Sequence, residues 1–179
     1  EDVYFGATPP PSVFARDDLK DRTIASHSVS KAYGLAGARI GYTHGPREVM
    51  EIVRGVQTFY SYCAPRPLQF GAAHALDQGD EWHAKMRKVY GSAGRAAADA
   101  LGLPAPEGGT FLFFDMQRYM REGETLMNVL ERCLEAGVML TPGTASGAHF
   151  ETWARLCFTV VPEDDLREAL GRLRKALTG

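Results

Sequence analysis

The chain predicts an α/β fold with an α+β part, and three observations carry that expectation. Short β-type segments alternate with helical ones along the whole sequence. Two of the helical stretches place apolar residues at helical spacing: Val49, Ile52, Val53 and Val56 fall at i, i+3, i+4 and i+7, and Leu166, Leu170, Leu173 and Leu177 line the last segment. Glycine and proline mark the joins, with neither an internal repeat nor a low-complexity linker between them.

In order, Asp2-Val3-Tyr4-Phe5 reads as the end of a strand, followed by a loop whose Pro9-Pro10-Pro11 cannot be helix interior. Residues 22–28 form a short strand, and Ala38 to Tyr42 the next one. Gly45-Pro46 starts a helix with proline near its first position, and the Val49–Val56 stripe is its expected buried face. Phe59, Tyr60 and Tyr62 follow as an aromatic cluster of the kind that usually packs. Leu68 to Leu101 is strongly helical, with Trp82, Met86, Val89, Tyr90, Ala93 and Ala97 as a core stripe, and Gly102 and Pro104 end it. Thr110 to Met116 is an apolar strand. A helix over about Thr125 to Glu135 stops at Gly137, Val138 to Leu140 is a strand, and Pro142-Gly143 opens a loop that ends in the strand Trp153 to Val161. The acidic run Glu163-Asp164-Asp165 after Pro162 suits the positive end of a final helix.

The 179 residues can bury one sizeable core, or a part-domain plus a small domain. A hydrophobic share of 45% and a charged share of 23% are those of an ordinary globular protein. A formal charge of −2 gives no electrostatic case for nucleic acid or an anionic membrane. No apolar run approaches the roughly 18 residues that span a bilayer, and no basic-then-apolar leader is present, so the expectation is a cytoplasmic protein. Cys63, Cys133 and Cys157 are too widely spaced for a zinc knuckle and are expected as buried free thiols. His27, His44, His74, His83 and His149 show no metal-ligand spacing, so no metal is expected.

The chemistry concentrates in Ser26 to Tyr42, Ser-His-Ser-Val-Ser-Lys-Ala-Tyr-Gly-Leu-Ala-Gly-Ala-Arg-Ile-Gly-Tyr. A lysine set among small hydroxyl residues and a glycine-spaced turn is placed to act as a nucleophile, and the expected product is a Schiff base with a carbonyl compound. Arg39 is suited to clamp a phosphate bidentately. Gly34, Gly37 and Gly41 would permit dihedrals and close contacts that larger residues forbid.

From Ser28 to Gly41 this string resembles, position by position, the lysine motif of the class I/II aminotransferases, pyridoxal-phosphate enzymes of fold type I. The resemblance implies the C-terminal half of such an enzyme: residues 1–70 ending the large cofactor domain, 71–101 a connecting helical region, and 102–179 the small α+β domain. It implies Lys31 as the aldimine lysine and proton shuttle, with Ser28 and Arg39 on the cofactor phosphate; Ser26 is either a plain loop hydroxyl or a further phosphate contact. Tyr4 matches the tyrosine that bonds the cofactor's ring oxygen. Its companion aspartate would stand three residues earlier, where the chain has Glu1, so Glu1 partners the pyridine nitrogen, or Asp2 does through a register change, or the pattern is altered in this chain. Arg155, in Trp153-Ala154-Arg155-Leu156-Cys157-Phe158, resembles the arginine that grips the substrate α-carboxylate. As part of a buried-type strand it would otherwise need an internal salt bridge. Ser146 departs from the family's aromatic residue before Gly147.

The implied substrates are an amino acid and a 2-oxo acid, and the implied assembly is a homodimer in which the segment around Tyr60 and Tyr62 approaches the partner's site. Lyases, decarboxylases and synthases of the same fold use the same lysine and remain an alternative. So does an inactive or incomplete fragment, because the family's glycine-rich phosphate turn, ring-stacking aromatic residue and ring-oxygen asparagine have no counterpart in these residues.

Overall fold

The computed structural model describes residues 2–179, and the chain divides into two compact units, Glu1–Arg87 and Lys88–Gly179.

In the first unit, β1 (Ala25–Ser28) pairs antiparallel with β2 (Gly41–His44) in the register Ala25↔His44 to Ser28↔Gly41. Between them lie the single-turn helix α1 (Val29–Ala32) and a 3-10 turn at Ala36–Ala38. Pro46 then caps α2 (Arg47–Tyr60), and Pro65 caps α3 (Arg66–Gln78). The core of this unit is small: Val29, Ala32, Ile40, Ala72 and Met86 are buried, with Tyr33, Leu35, Ala38 and Ala64 packed against Val29, Ile40 and Ala72.

Three expectations fail here. The stripe on α2 exists, but α2 buries no residue, and Ile52 and Val56 are more than 60% exposed. Periodicity aligned those side chains correctly; burial needs an opposing surface, and this unit supplies none. Phe59, Tyr60 and Tyr62 are likewise exposed instead of packed. The helical stretch from Leu68 also breaks at Gly79, so that α4 (Asp80–Leu101) is a separate helix. An added Cβ at Gly79 would lie 2.4 Å from the Ala75 carbonyl oxygen and 2.6 Å from the Tyr33 ring.

The second unit holds the three-stranded antiparallel sheet β3-β5-β4, made of β3 (Phe111–Asp115), β4 (Thr141–Pro142) and β5 (Trp153–Cys157). Its helices are the C-terminal part of α4, α5 (Leu126–Glu135) and α6 (Glu163–Thr178). Thr125 and Asn128 close a capping box at the start of α5, and Gly137 takes φ +75° beyond its end. Leu166, Leu170, Leu173 and Leu177 are buried, as their spacing predicts. Phe158, Met116, Val129, Cys133 and Leu173 form the most enclosed part of the core. Strand pairing starts at Thr141 and not at Val138, with Val138 and Leu140 buried ahead of the ladder.

Of the three thiols, Cys133 is buried, Cys157 half-buried and Cys63 exposed, so buried thiols are confined to the second unit. No described helix is long and apolar enough to cross a membrane.

Candidate active site

Lys31 sits on an excursion between β1 and β2 whose two ends are pinned together. Ser28 pairs with Gly41 at the end of the ladder, and the Val29 N–H donates to the Ile40 carbonyl at 3.3 Å. Gly41 is required at that junction, because a Cβ there would lie 2.5 Å from the His27 carbonyl oxygen. Buried Val29 and Ile40 anchor the excursion, while Lys31 and Arg39 stay exposed on it.

The intervening residues fold through local bonds. The Ser28 hydroxyl caps α1 by accepting the Ser30 N–H at 3.1 Å, and its own proton goes to Ser30 Oγ at 2.9 Å. Tyr33 and Leu35 both donate backbone N–H groups to the Val29 carbonyl. Gly34 turns the chain at φ +65°, where its missing side chain matters: a Cβ would come within 2.9 Å of the Trp82 ring. Gly37 faces open space at ordinary φ, so nothing in the structure demands glycine there.

Arg39 adopts the left-handed conformation at φ 53°, ψ 39°, which is costly for a residue with a side chain. Its Nη1 donates to the Ala36 carbonyl at 3.0 Å, and among the described residues neither Arg39 nor Lys31 enters an ion pair. Arg39 also borders an open groove of about 580 Å³ with Tyr42, Thr43, Met50, Arg54 and Tyr62.

The structure therefore brings Ser26, Ser28, Lys31 and Arg39 together on one β1–α1–β2 device. Ser26 is exposed opposite Thr43 and lies on the same strand face as Ser28, two residues on. Tyr4 belongs to the same unit, with the Arg87 guanidinium 4.7 Å above its ring. Asp2 is half-buried, and Glu1 lies outside the described residues. The Tyr33 phenol is pushed up, chiefly by burial and further by the Asp2, Tyr42 and Asp80 charges.

Two residues that the sequence placed in a core stripe or passed over belong to this device. The Trp82 indole N–H donates to the Ala32 carbonyl at 2.8 Å, and His83, 7% exposed, lays its ring 4.5 Å from that of Tyr33. His83 Nε2 is buried without a hydrogen-bond partner. No local sequence signal pairs Trp82 or His83 with this loop, because the contacts span about 50 residues of chain. Across the ladder, His27 and His44 share a hydrogen bond between Nε2 atoms at 3.1 Å. No three potential metal ligands converge among the described residues.

Arg155 lies in the second unit, and its surroundings correct the expectation of a buried strand. The pleat alternates, so Ala154 and Leu156 face the core while Arg155 faces outward and is exposed. No desolvation cost arises there, and no salt bridge forms among the described residues. Its guanidinium stands 5.3 Å from the Phe111 ring centroid, and Nη2 donates to Thr141 Oγ1 at 3.4 Å. Phe113, Phe150 and Trp153 cluster nearby, with centroids 4.9 to 5.7 Å apart.

Comparison with known proteins adds independent findings. Residues 1–173 match the family model described as aminotransferase class I and II. An aspartate aminotransferase of Pyrococcus abyssi is 30% identical over 93% of this chain and 44% of its own length. An LL-diaminopimelate aminotransferase of Aquifex aeolicus is 30% identical over 97% and 45%. The crystal structure of an α-aminoadipate aminotransferase from Thermus thermophilus, complexed with N-(5′-phosphopyridoxyl)-L-leucine, superposes with a TM-score of 0.84 at 25% identity, covering 99% of this chain and 48% of that one. The chain thus spans about half the length of the relatives it matches, and its fold is that of the C-terminal half of a fold type I enzyme. On the extent of that match, this chain belongs to the class I and II aminotransferase family.

Proposed function

We propose that this chain carries the lysine-bearing half of a pyridoxal-phosphate-dependent aminotransferase that moves an amino group between an amino acid and a 2-oxo acid. The observation that carries the proposal is Lys31 itself: exposed, outside any ion pair among the described residues, and held on a pinned excursion between Ser28 and a left-handed Arg39. Family membership supports it. So does the phosphopyridoxyl ligand of the Thermus thermophilus relative.

The donor set suits the cofactor. Arg39 commits one guanidinium nitrogen to Ala36 and keeps the rest of its planar fork for a phosphate. Ser28 has its only proton on Ser30, and rotation about its Cβ–O bond redirects that proton to an anion. Pyridoxal phosphate, when bound, supplies a carbonyl carbon and an electron sink. Within the proposal Lys31 Nζ would hold the cofactor at its carbonyl carbon and would serve as the base that carries a proton between the substrate's α-carbon and the cofactor's C4′. Ser28, Arg39 and Ser26 hold the phosphate. Tyr4 addresses the ring oxygen, Asp2 or Glu1 the ring nitrogen, and Arg155 the substrate carboxylate.

Residues 1–70 would complete the large domain, 71–101 the connection, and 102–179 the small domain. A homodimer belongs to the same proposal, because the exposed side chains Ile52, Val56, Phe59, Tyr60 and Tyr62 suit a second subunit. Incubating the protein and cofactor with amino acid donors tests the activity: a 2-oxo acid formed in step with an aminated acceptor supports transamination, whereas ammonia with pyruvate, or carbon dioxide, would assign lyase or decarboxylase chemistry.

A further inference from the structure

We infer that Trp82 is a positioning residue for Lys31, holding the turn that follows the lysine so that its amine has one direction. The inference rests on the proposed role of Lys31. A single helical turn is not stable alone, since nucleation fixes several dihedrals for one hydrogen bond. The segment α1 is such a turn: the Tyr33, Gly34 and Leu35 N–H groups meet its Val29 and Lys31 carbonyls locally, and the Ala32 carbonyl is met from α4.

Each of the three residues after Lys31 is met by α4. The Ala32 carbonyl accepts the Trp82 indole N–H at 2.8 Å. The Tyr33 ring lies against His83, with centroids 4.5 Å apart. Gly34, at φ +65°, leaves the space that the edge of the Trp82 ring fills, so closely that a Cβ would lie 2.9 Å from it. One indole therefore brackets Tyr33 from both sides, by a directional bond before it and by contact after it. The bond spans 50 residues of sequence, so it fixes α1 against a separate helix and not against its own loop. His83 adds the packing of its ring against Tyr33, and among the described residues its buried Nε2 has no hydrogen-bond partner. The indole N–H is the one directional group in the clamp, and Trp82 carries it.

The test uses Trp82→Phe, which keeps an aromatic ring and removes the donor. Hydrogen exchange at the Tyr33, Gly34 and Leu35 amides, measured without cofactor, is expected to rise at least 10-fold while exchange in α2 and α3 is unchanged. With pyridoxal phosphate and borohydride, the reduced adduct on Lys31 is expected to form at least 3-fold more slowly. Should Trp82→Phe not fold, Gly34→Ala displaces the same ring from the other side and is expected to loosen the same amides. Unchanged exchange at those amides, together with an unchanged adduct rate, would overturn the clamp and leave the aminotransferase proposal standing. Loosened amides in a protein whose wild type gives no Lys31 adduct would sustain the clamp and reject the aminotransferase proposal.

Discussion

Arg39 combines a left-handed backbone, which an ordinary surface arginine lacks, with a guanidinium that makes one hydrogen bond among the described residues. Backbone strain of this kind persists where the surroundings enforce it, here through the Val29–Ile40 hydrogen bond on one side and Gly41 on the other. Arg39→Ala is expected to weaken cofactor retention by about 10-fold to 100-fold, as a charge-assisted hydrogen-bonded pair of about 1.5–3 kcal/mol would. Arg39→Lys should recover little of it, since a point charge does not reproduce the planar fork; equilibrium dialysis of the three proteins measures this, and equal affinities would remove Arg39 from the phosphate. Arg155 answers to a different readout. Because a carboxylate clamp serves every α-amino acid alike, Arg155→Lys should lower kcat/KM for all donors by a similar factor of about 10-fold, roughly 1.4 kcal/mol, with the cofactor's absorbance unchanged. A loss confined to donors with acidic side chains would assign Arg155 to side-chain selection instead.

Within the second unit, the Phe158 side chain is fully buried, and Phe158→Ala is expected to destabilise the protein by about 3–5 kcal/mol, read as a lower urea midpoint. Arg132 joins three elements: it pairs with Glu124 at 2.5 Å and donates to the Tyr119 carbonyl at 3.0 Å and the Ala176 carbonyl at 3.4 Å. The Glu124 carboxyl is held below its ordinary value, first by Arg132 and then by the Arg121 backbone N–H. A carboxyl depressed in the folded state contributes stability above its unfolded pKa of about 4.3, and that stability is lost as pH falls through the lower folded value. Urea midpoints should therefore fall more steeply with acid in wild type than in Glu124→Gln, and identical pH profiles would show that the pair is not coupled to folding. The same unit shows what was legible in advance. The four leucines of α6, the capping box at Thr125 and the Gly137 stop are local patterns, and local patterns survive into the structure. The apolar neighbours of Arg155 read as a strand buried on both faces, whereas a period of two puts every other residue, Arg155 among them, outside. In the first unit, the α2 stripe was readable as a stripe but not as exposed, and Trp82 was readable as an aromatic but not as the partner of Ala32, since both facts depend on residues far away in sequence.

At the scale of the molecule, the first unit has a small core and an unusual amount of exposed apolar side chain on and after α2, with Phe59 at 95% exposure. Patches of that kind on a folded surface mark association. Sedimentation is expected to show a dimer at micromolar concentration, and Phe59→Asp to shift it toward monomer without altering the circular dichroism of the fold; a wild-type monomer would count against the homodimer. Everything proposed for the site nevertheless converges on one amine. Pyridoxal phosphate is added to wild type and to Lys31→Ala, both are reduced with borohydride, and the peptides are mapped by mass spectrometry. The expected result is a phosphopyridoxyl group on Lys31 in wild type, absent from Lys31→Ala with its fold retained. A group spread over other lysines, or the same labelling in both proteins, would contradict the assignment of Lys31 as the cofactor's lysine.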